Sequence, residues 1–305
     1  MLAVDRFLTQ EGLALFNTPA FFQLHAIGRA HYFQWLQGGR AVACIHFTEV
    51  KPGLFRSPAR GTYAGLSSLP EVRTEELAAF LAAVQEHLRA LGAQRLEVLL
   101  PPARHDVAQF SNQYYLMRAL GFVETGLDLN FGMAVTAQPF IERIAPNNQR
   151  RLRKCRREGL LATQLDDGEL GAVHALLEEH HRHKGYPMSM SRAQLQTMLE
   201  LFPGQLRLFG CQHGERLVAA AICVQIRKDI RYIFCIGDLA EYASYSPSVA
   251  LVDAIYGSCQ EEGIALFDYG VSTLGLEANY GLIHFKRGLG FGESLKPRLE
   301  KVLDA

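Results

Sequence analysis

Three stretches of this 305-residue chain hold residue types that act on acylated or phosphate-bearing molecules. One runs Phe267-Asp268-Tyr269-Gly270, followed by Tyr280 and the pair Phe285-Lys286. An aspartate where a strand ends can orient an amine or take its proton. The same carboxylate, two residues before a glycine, also suits a plain turn. An unperturbed lysine has a pKa of about 10.4 and is a cation near neutral pH, able to hold a tetrahedral oxyanion or a phosphate. Lys286 reads either that way or as a lysine on the solvated face of a terminal helix. Tyr269 and Tyr280 offer hydroxyls, although packing is the ordinary use of both.

The second stretch is Tyr245-Ser246-Pro247-Ser248. Ser246 reads as a helix N-cap and Pro247 as the first helical residue. A helix start offers free N–H groups to a phosphate, but every helix has such an end and few use it. The third stretch, Arg150 to Arg157, holds basic residues at all but two positions. Arg150 and Lys154 share a helical face, and with Arg151 they are the candidates for contact with a phosphate-bearing substrate or RNA. A solvated charged helix fits the pattern as well.

Metal and thiol chemistry find less support. His174, Glu178 and His181 could share a helical face, but there is no HExxH, and His180-His181-Arg182-His183 reads as an exposed helix end, so no metal is expected. The six cysteines form no CxxC pair and read as buried, reduced small hydrophobes.

The elements that must position these residues occur twice. His31–Leu36 and Ala41–Phe47 flank a Gly38-Gly39 turn, and Leu206–Phe209 and Leu217–Ile226 flank His213-Gly214-Glu215, each a hairpin signal. A third strand, Ile230–Ile236, follows in the second half. Each half continues with a helix. The first is capped at Thr74, stopped by Gly92, and carries Leu77, Phe80, Leu81, Val84, Leu88 and Leu91 on one face. The second begins at Ser246, stops at Gly263, and carries Val249, Val252, Tyr256 and Cys259. Strands Arg95–Leu100 and Ile264–Asp268 come next, then short helices ending in Leu-Gly-Phe at Phe122 and Phe291. The copies divide near Ala134 to Phe140, giving expected domains of 1–136 and 137–305. Matching the Leu-Gly-Phe endings sets Lys286 opposite Met117, and the first copy has no Asp-Tyr-Gly.

Bulk composition agrees with a folded, water-soluble chain. It is 49% hydrophobic and 20% charged, with formal net charge +0, so no global field draws it to nucleic acid or an anionic membrane. The N-terminus lacks a signal-peptide pattern and the longest apolar run, Leu217 to Val224, is too short for a span of about 20 residues. A cytoplasmic location without membrane insertion is expected.

This order of elements resembles the GNAT N-acyltransferase fold. Two such units in tandem resemble the FemAB/FemX-like group of aminoacyl and acyl transferases, which includes peptidoglycan bridge-forming enzymes. The basic helix, the Tyr245–Ser248 helix start and Phe267–Gly270 with Tyr280 and Phe285-Lys286 carry the resemblance. It implies an α+β layered fold of two tandem GNAT-like units, each a mixed, mostly antiparallel sheet flanked by helices, with the first degenerate. It also implies that Lys286 lies at a reaction centre, with Asp268, Tyr269 and Tyr280 as further catalytic candidates. Tyr245, Ser246, Ser248, Arg150, Arg151, Lys154 and Phe285 would then bind the donor. The reaction implied is direct transfer of an acyl or aminoacyl group from an acyl-CoA-like thioester or aminoacyl-tRNA, with no metal. Its acceptor would be an amine, either a small molecule or peptidoglycan-precursor-like. Two features depart from the pattern. Residues 238–245 lack the R/Q-x-x-G-x-G/A loop of coenzyme-A-binding members, and no long coiled-coil arm is evident between Gln149 and Arg207. A GNAT-fold ligand-binding protein without activity and a nucleic-acid-binding module are the rival readings.

Overall fold

A computed structural model describes residues 1–185 and 188–303. Contacts divide the chain into two compact units. The first comprises residues 1–130, 275–277 and the segment from Ser294 onward; the second comprises 131–274 and 278–293.

The first unit holds β1 (Leu2–Val4), α1 (Pro19–His25), β2 (Ala30–Gln37), β3 (Arg40–Lys51), β4 (Leu54–Ser57) and β5 (Ser67–Ser68). These are followed by α2 (Thr74–Ala90), β6 (Arg95–Leu99), α3 (Val107–Ala119) and β7 (Val123–Ala134), within which the division falls. Its strands run in the order β1-β2-β3-β4-β6 and then the chain's last strand, Gly292–Val302. Every pairing in that path is antiparallel except β4 with β6. The β2–β3 hairpin turns at Gly38 and Gly39, both at positive φ (54° and 80°), which only glycine adopts without cost. On α2, Leu77, Phe80, Leu81, Val84 and Leu88 are buried in the core against strand residues such as Phe33, Ile45 and Leu96. The helix starts one residue earlier than its sequence suggests. Arg73 is the N-cap, and Glu76 reaches back to accept the Arg73 backbone N–H at 3.3 Å, so Thr74 is not needed as a cap.

The second unit repeats the plan. It holds α4 (Phe140–Arg143), α5 (Pro146–Arg157), β8 (Leu160–Leu165), α6 (Leu170–Lys184), α7 (Arg192–Leu201) and β9 (Leu206–His213). After these come β10 (Arg216–Arg227), β11 (Ile230–Asp238), α8 (Pro247–Glu261), β12 (Leu266–Val271) and α9 (Tyr280–Gly288). The order β12-β11-β10-β9-β8 contains one parallel pair, β11 with β12. Each unit is thus four antiparallel strands, a helix, a strand parallel to the fourth, and a second helix: two tandem GNAT-like units of an α+β class. β10 is central, and Val218 through Val224 are all buried, which explains its continuous apolar run. On α8, Val249, Val252, Tyr256 and Cys259 are fully buried, as their spacing predicts. All six cysteines are free and buried. Among the described residues, no helix is long and apolar enough to cross a membrane.

One buried charge ties α8 to this sheet. Arg231 is 0% exposed, and its guanidinium bonds Glu262 (2.8 and 3.2 Å), Gln225 (2.6 and 3.1 Å) and Ser258 (3.2 Å). Arg231→Leu strips the donors from all three, and the expected loss is about 2 kcal/mol by chemical denaturation. Arg231→Lys recovers little of it, because an ammonium lacks the planar fork.

Candidate functional site

In open sheets of this kind, ligands sit outside the carboxyl ends of parallel strands. The relevant ends here are those of β11 and β12. Their ladder covers only Ile230–Tyr232 against Leu266–Asp268, yet β11 runs on to Asp238 and β12 to Val271. β11 is also irregular on its other side. Ile222 of β10 pairs with Cys235 and the next residue, Cys223, with Ile233, so Phe234 is left over as a β-bulge. A bulge leaves its extra residue outside the ladder, and bulges concentrate beside active sites.

The β12 side is built around Lys286. It lies on α9 and is 1% exposed, so the solvated-face alternative fails. Its Nζ donates to the backbone carbonyls of Tyr269 (2.9 Å), Gly270 (3.0 Å) and Val271 (2.8 Å), and lies 4.8 Å from the Tyr269 ring centre and 5.4 Å from that of Phe131. Burial pushes its pKa down to about 7, against the opposing pull of Asp268. The three carbonyls take all three N–H bonds of the ammonium. An oxyanion would have to displace one of them, so Lys286 fixes the end of β12 rather than presenting a free cation. Asp268 is buried and accepts the Gly270 N–H at 2.7 Å, closing the turn that its position before a glycine suggests. Gly270 has φ +72°, and a Cβ there would stand 3.0 Å from the Tyr232 ring. Tyr269 is buried, which raises its hydroxyl pKa, and the charge of Asp238 raises it further.

The second group forms where α8 begins. Ser246 is the N-cap residue but adopts a left-handed conformation (φ 58°, ψ 52°), and its side chain makes no capping bond. This corrects the cap reading: Ser246 is a strained corner of the kind that clusters at functional sites. The anion site is also narrower than the sequence suggests, because Pro247 has no N–H and the Val249 N–H already bonds the Ser246 carbonyl at 3.0 Å. The corner is held from α5. Lys154 donates to the Ser244 carbonyl at 3.0 Å and its ammonium lies 4.7 Å from the centre of the Tyr245 ring. The Cys155 thiol donates to the Tyr245 carbonyl at 3.0 Å. Ser248 donates to Asp238 at 3.1 Å, joining α8 to the end of β11.

The remaining candidates stand apart. Arg150 and Arg151 are exposed on α5, with Arg151 bonding Asn148 at 3.2 Å. Phe285 is half-buried on α9, and Tyr280, 71% exposed, belongs to neither group. Of the residues considered for zinc, His174 and Glu178 line a cavity on α6, whereas His181 approaches the Cys235 sulfur at 3.7 Å.

Sequence reading missed the pair His180 and Asp238. The His180 Nδ1 lies 2.9 Å from the Asp238 carbonyl oxygen and 3.4 Å from its carboxylate. The Asp238 carboxylate, helped by the backbone carbonyl and opposed by burial, raises the His180 pKa above its ordinary value. Gly237 makes the contact possible: a Cβ there would stand 2.6 Å from the imidazole. A glycine inside the strand Ile236-Gly237-Asp238 was the available signal, since such a glycine marks a close approach. Because the folded pKa is raised, the pair's contribution to stability is full below the unfolded value of 6.5 and fades as pH rises through the folded one. The difference in melting temperature between the natural protein and His180→Gln is therefore expected to shrink between pH 5.5 and pH 8.5 in buffered thermal scans.

Residues 146–287 match the family described as acetyltransferase (GNAT) domain. No curated protein sequence matches. Among solved structures, FemX superposes with TM-score 0.73 at 13% identity, over 97% of this chain and 94% of that one. L-PGS from Bacillus licheniformis gives 0.62 at 15% identity, over 97% and 95%. A tandem GNAT protein from the clavulanic acid biosynthesis pathway gives 0.55 at 12% identity, over 100% and 99%. At these identities the likeness concerns the fold.

Proposed function

We propose that the chain is a GNAT-fold acyltransferase of the FemAB-like tandem kind, and that its second unit transfers an acyl or aminoacyl group to an amine at the carboxyl ends of β11 and β12. The observation that carries this reading is the short ladder between those two strands, with the α8 corner joined to one end through Ser248 and Asp238 and Lys286 locking the other. In the first unit the matching parallel pair is bridged along all of β4, Leu54–Ser57 against Arg95–Val98. There Met117, fully buried, stands where the second unit has Lys286. Both facts support a first unit without chemistry of its own; the boundary expected at 136 lies near the division at Asn130 and Phe131, but the segment from Ser294 onward belongs to the first unit and not to 137–305.

In the reaction we propose, His180 Nε2 takes a proton from the acceptor ammonium while Asp238 holds Nδ1. The neutral amine attacks the acyl carbonyl, whose developing oxyanion takes backbone N–H donors at the Phe234 bulge. The N–C bond forms, the bond to the leaving thiolate or ribose oxygen breaks, and the second proton lost by the attacking nitrogen passes to the leaving group. Lys286 and Asp268 act as positioning residues, shaping the end of β12. Ser248 and Lys154, beside Tyr245 and Ser246, face the donor's phosphates. The donor favoured is an acyl-CoA-like thioester. Aminoacyl-tRNA is the second reading, favoured by the exposed Arg150 and Arg151. The acceptor is a small-molecule or peptidoglycan-precursor-like amine. Six free, buried cysteines support a reducing, cytoplasmic setting.

Titration calorimetry with acetyl-CoA, and filter binding of charged tRNA across a salt series, test the reading. Saturable binding of acetyl-CoA, weakened by Lys154→Ala, is the expected result. A steep salt dependence of tRNA binding that is lost in Arg150→Ala/Arg151→Ala would move the donor to the second reading. Binding of neither donor sinks the transferase reading.

A further inference from the structure

A cavity of about 500 Å³ opens on α6 and the start of α7, within the range that holds small-molecule ligands. His174, Glu178, Arg182, Met188, Met190 and Ser191 line it. Two of its polar groups already have partners. His174 Nε2 lies 3.3 Å from the Met190 carbonyl oxygen, and the Ser191 hydroxyl accepts the Gln194 N–H at 3.3 Å to cap α7. Glu178 and Arg182 are different. They are one turn apart on α6, the spacing at which a glutamate and a following arginine ordinarily pair. Among the described residues, neither makes an ion pair or a side-chain hydrogen bond. Acid–base neighbours elsewhere in this unit do pair, as Arg156 with Asp253 (2.8 Å) and Arg216 with Glu241 (2.6 Å). The cavity therefore carries one free carboxylate and one free guanidinium on the same face. Met188 and Met190 add an apolar, adaptable lining to the same cavity.

The cavity also adjoins the strand that bears the bulge. The Met188 sulfur lies 3.8 Å from the Cys235 sulfur, and Cys235 directly follows Phe234 on β11.

We propose that this cavity is the acceptor subsite and that it selects a zwitterion, an amine with a nearby carboxylate and an apolar side chain, such as a free amino acid or a short peptide. Glu178 receives the ammonium beside the carboxylate, Arg182 grips that carboxylate as a fork, and the two thioethers take the side chain, so the amine that His180 deprotonates is a second one elsewhere on the acceptor. Opposite charges in one site disfavour a polyanion, so the phosphates of a donor are not its ligand. This inference rests on the acyl-transfer reading for its role, but its binding chemistry can be measured without any donor.

The six methionines make the test direct. Protein labelled with ¹³C at the methionine methyls is titrated with L-leucine, L-leucinamide and N-acetyl-L-leucine. L-Leucine is expected to shift the Met188 and Met190 signals saturably and to leave Met117 and Met133 unmoved. L-Leucinamide, which lacks the carboxylate, and N-acetyl-L-leucine, which lacks the ammonium, are expected to bind at least tenfold more weakly. Arg182→Gln should erase the preference over the amide, and Glu178→Gln the preference over the acetylated form. Both side chains are exposed, so the variants keep the fold, and unmoved Met117 and Met133 signals verify this. No saturable response to L-leucine, or equal responses to all three probes, overturns the inference. If acetyl-CoA still binds in that case, the transferase reading stands without it.

Discussion

Lys286→Met loses stability and transfer together. The substitution keeps the apolar stem as far as the Cε and removes the ammonium, leaving the carbonyls of Tyr269, Gly270 and Val271 without the donor that now holds all three. A buried acceptor left unsatisfied costs about 1–3 kcal/mol, and relief of the buried charge offsets part of the sum, so the expected loss is about 3 kcal/mol. For a unit of this size that lowers the melting temperature by on the order of 10 °C. Activity falls further than the folded fraction does, because the end of β12 forms one side of the proposed reaction centre. The pH dependence has a definite sign. The Lys286 pKa lies near 7 in the folded chain and about 10.4 in the unfolded one, so between those values the unfolded state binds more protons. The stability difference between the natural protein and Lys286→Met therefore widens as pH rises from 7 towards 10. Urea titrations at three pH values measure it. A difference that stays flat with pH would show that the lysine is not desolvated, and full stability of the variant would show that its three hydrogen bonds carry no weight.

Gly290→Ala has an effect of similar size, and Gly121→Ala does not. The two glycines hold the same place in the repeated Leu-Gly-Phe ending, and both have positive φ, +81° and +87°. A left-handed conformation costs an alanine about 1–2 kcal/mol. At Gly121 that is nearly the whole cost, because the nearest atom to an added Cβ is the flexible end of Lys301 at 3.7 Å. At Gly290 the Cβ would stand 2.7 Å from the Arg143 backbone oxygen and 2.9 Å from the Met133 methyl. Either α4 or the end of α9 must move, which adds about 1–3 kcal/mol. Expected losses are therefore about 3 kcal/mol at Gly290 and about 1 kcal/mol at Gly121, read as shifts in the denaturation midpoint. Equal losses at the two sites would mean that the Arg143 carbonyl does not confine Gly290.

Much of this architecture is legible in the chain because it follows from local rules. Alternating β-rich runs around Gly38-Gly39 and Gly214, the 3.6-residue stripe from Leu77 to Leu88, and the glycine stops at 92 and 263 each depend on neighbours a few residues away. The doubling of the pattern then yields the tandem fold. Where local rules compete, the expectation slips. Thr74 and Ser246 both look like caps, but Glu76 satisfies the first helix end from inside. At the second, Ser246 turns a left-handed corner whose backbone carbonyls at 244–246 are bonded by Lys154 and Cys155.

The pattern of apolar and turn residues alone determined that this protein is two layered α+β units with strand ends and a helix start in repeated register and a lysine in the second copy only. Tertiary structure decided what those parts do. Lys286 faces three backbone carbonyls instead of solvent, because α9 packs its inner face on the end of β12. His180 meets Asp238 across 58 residues because Gly237 leaves room for the ring. Among the described residues Glu178 and Arg182 make no ion pair, because a cavity lies over them. A side chain's direction and its long-range neighbours depend on how distant segments pack, and spacing along one segment does not encode that.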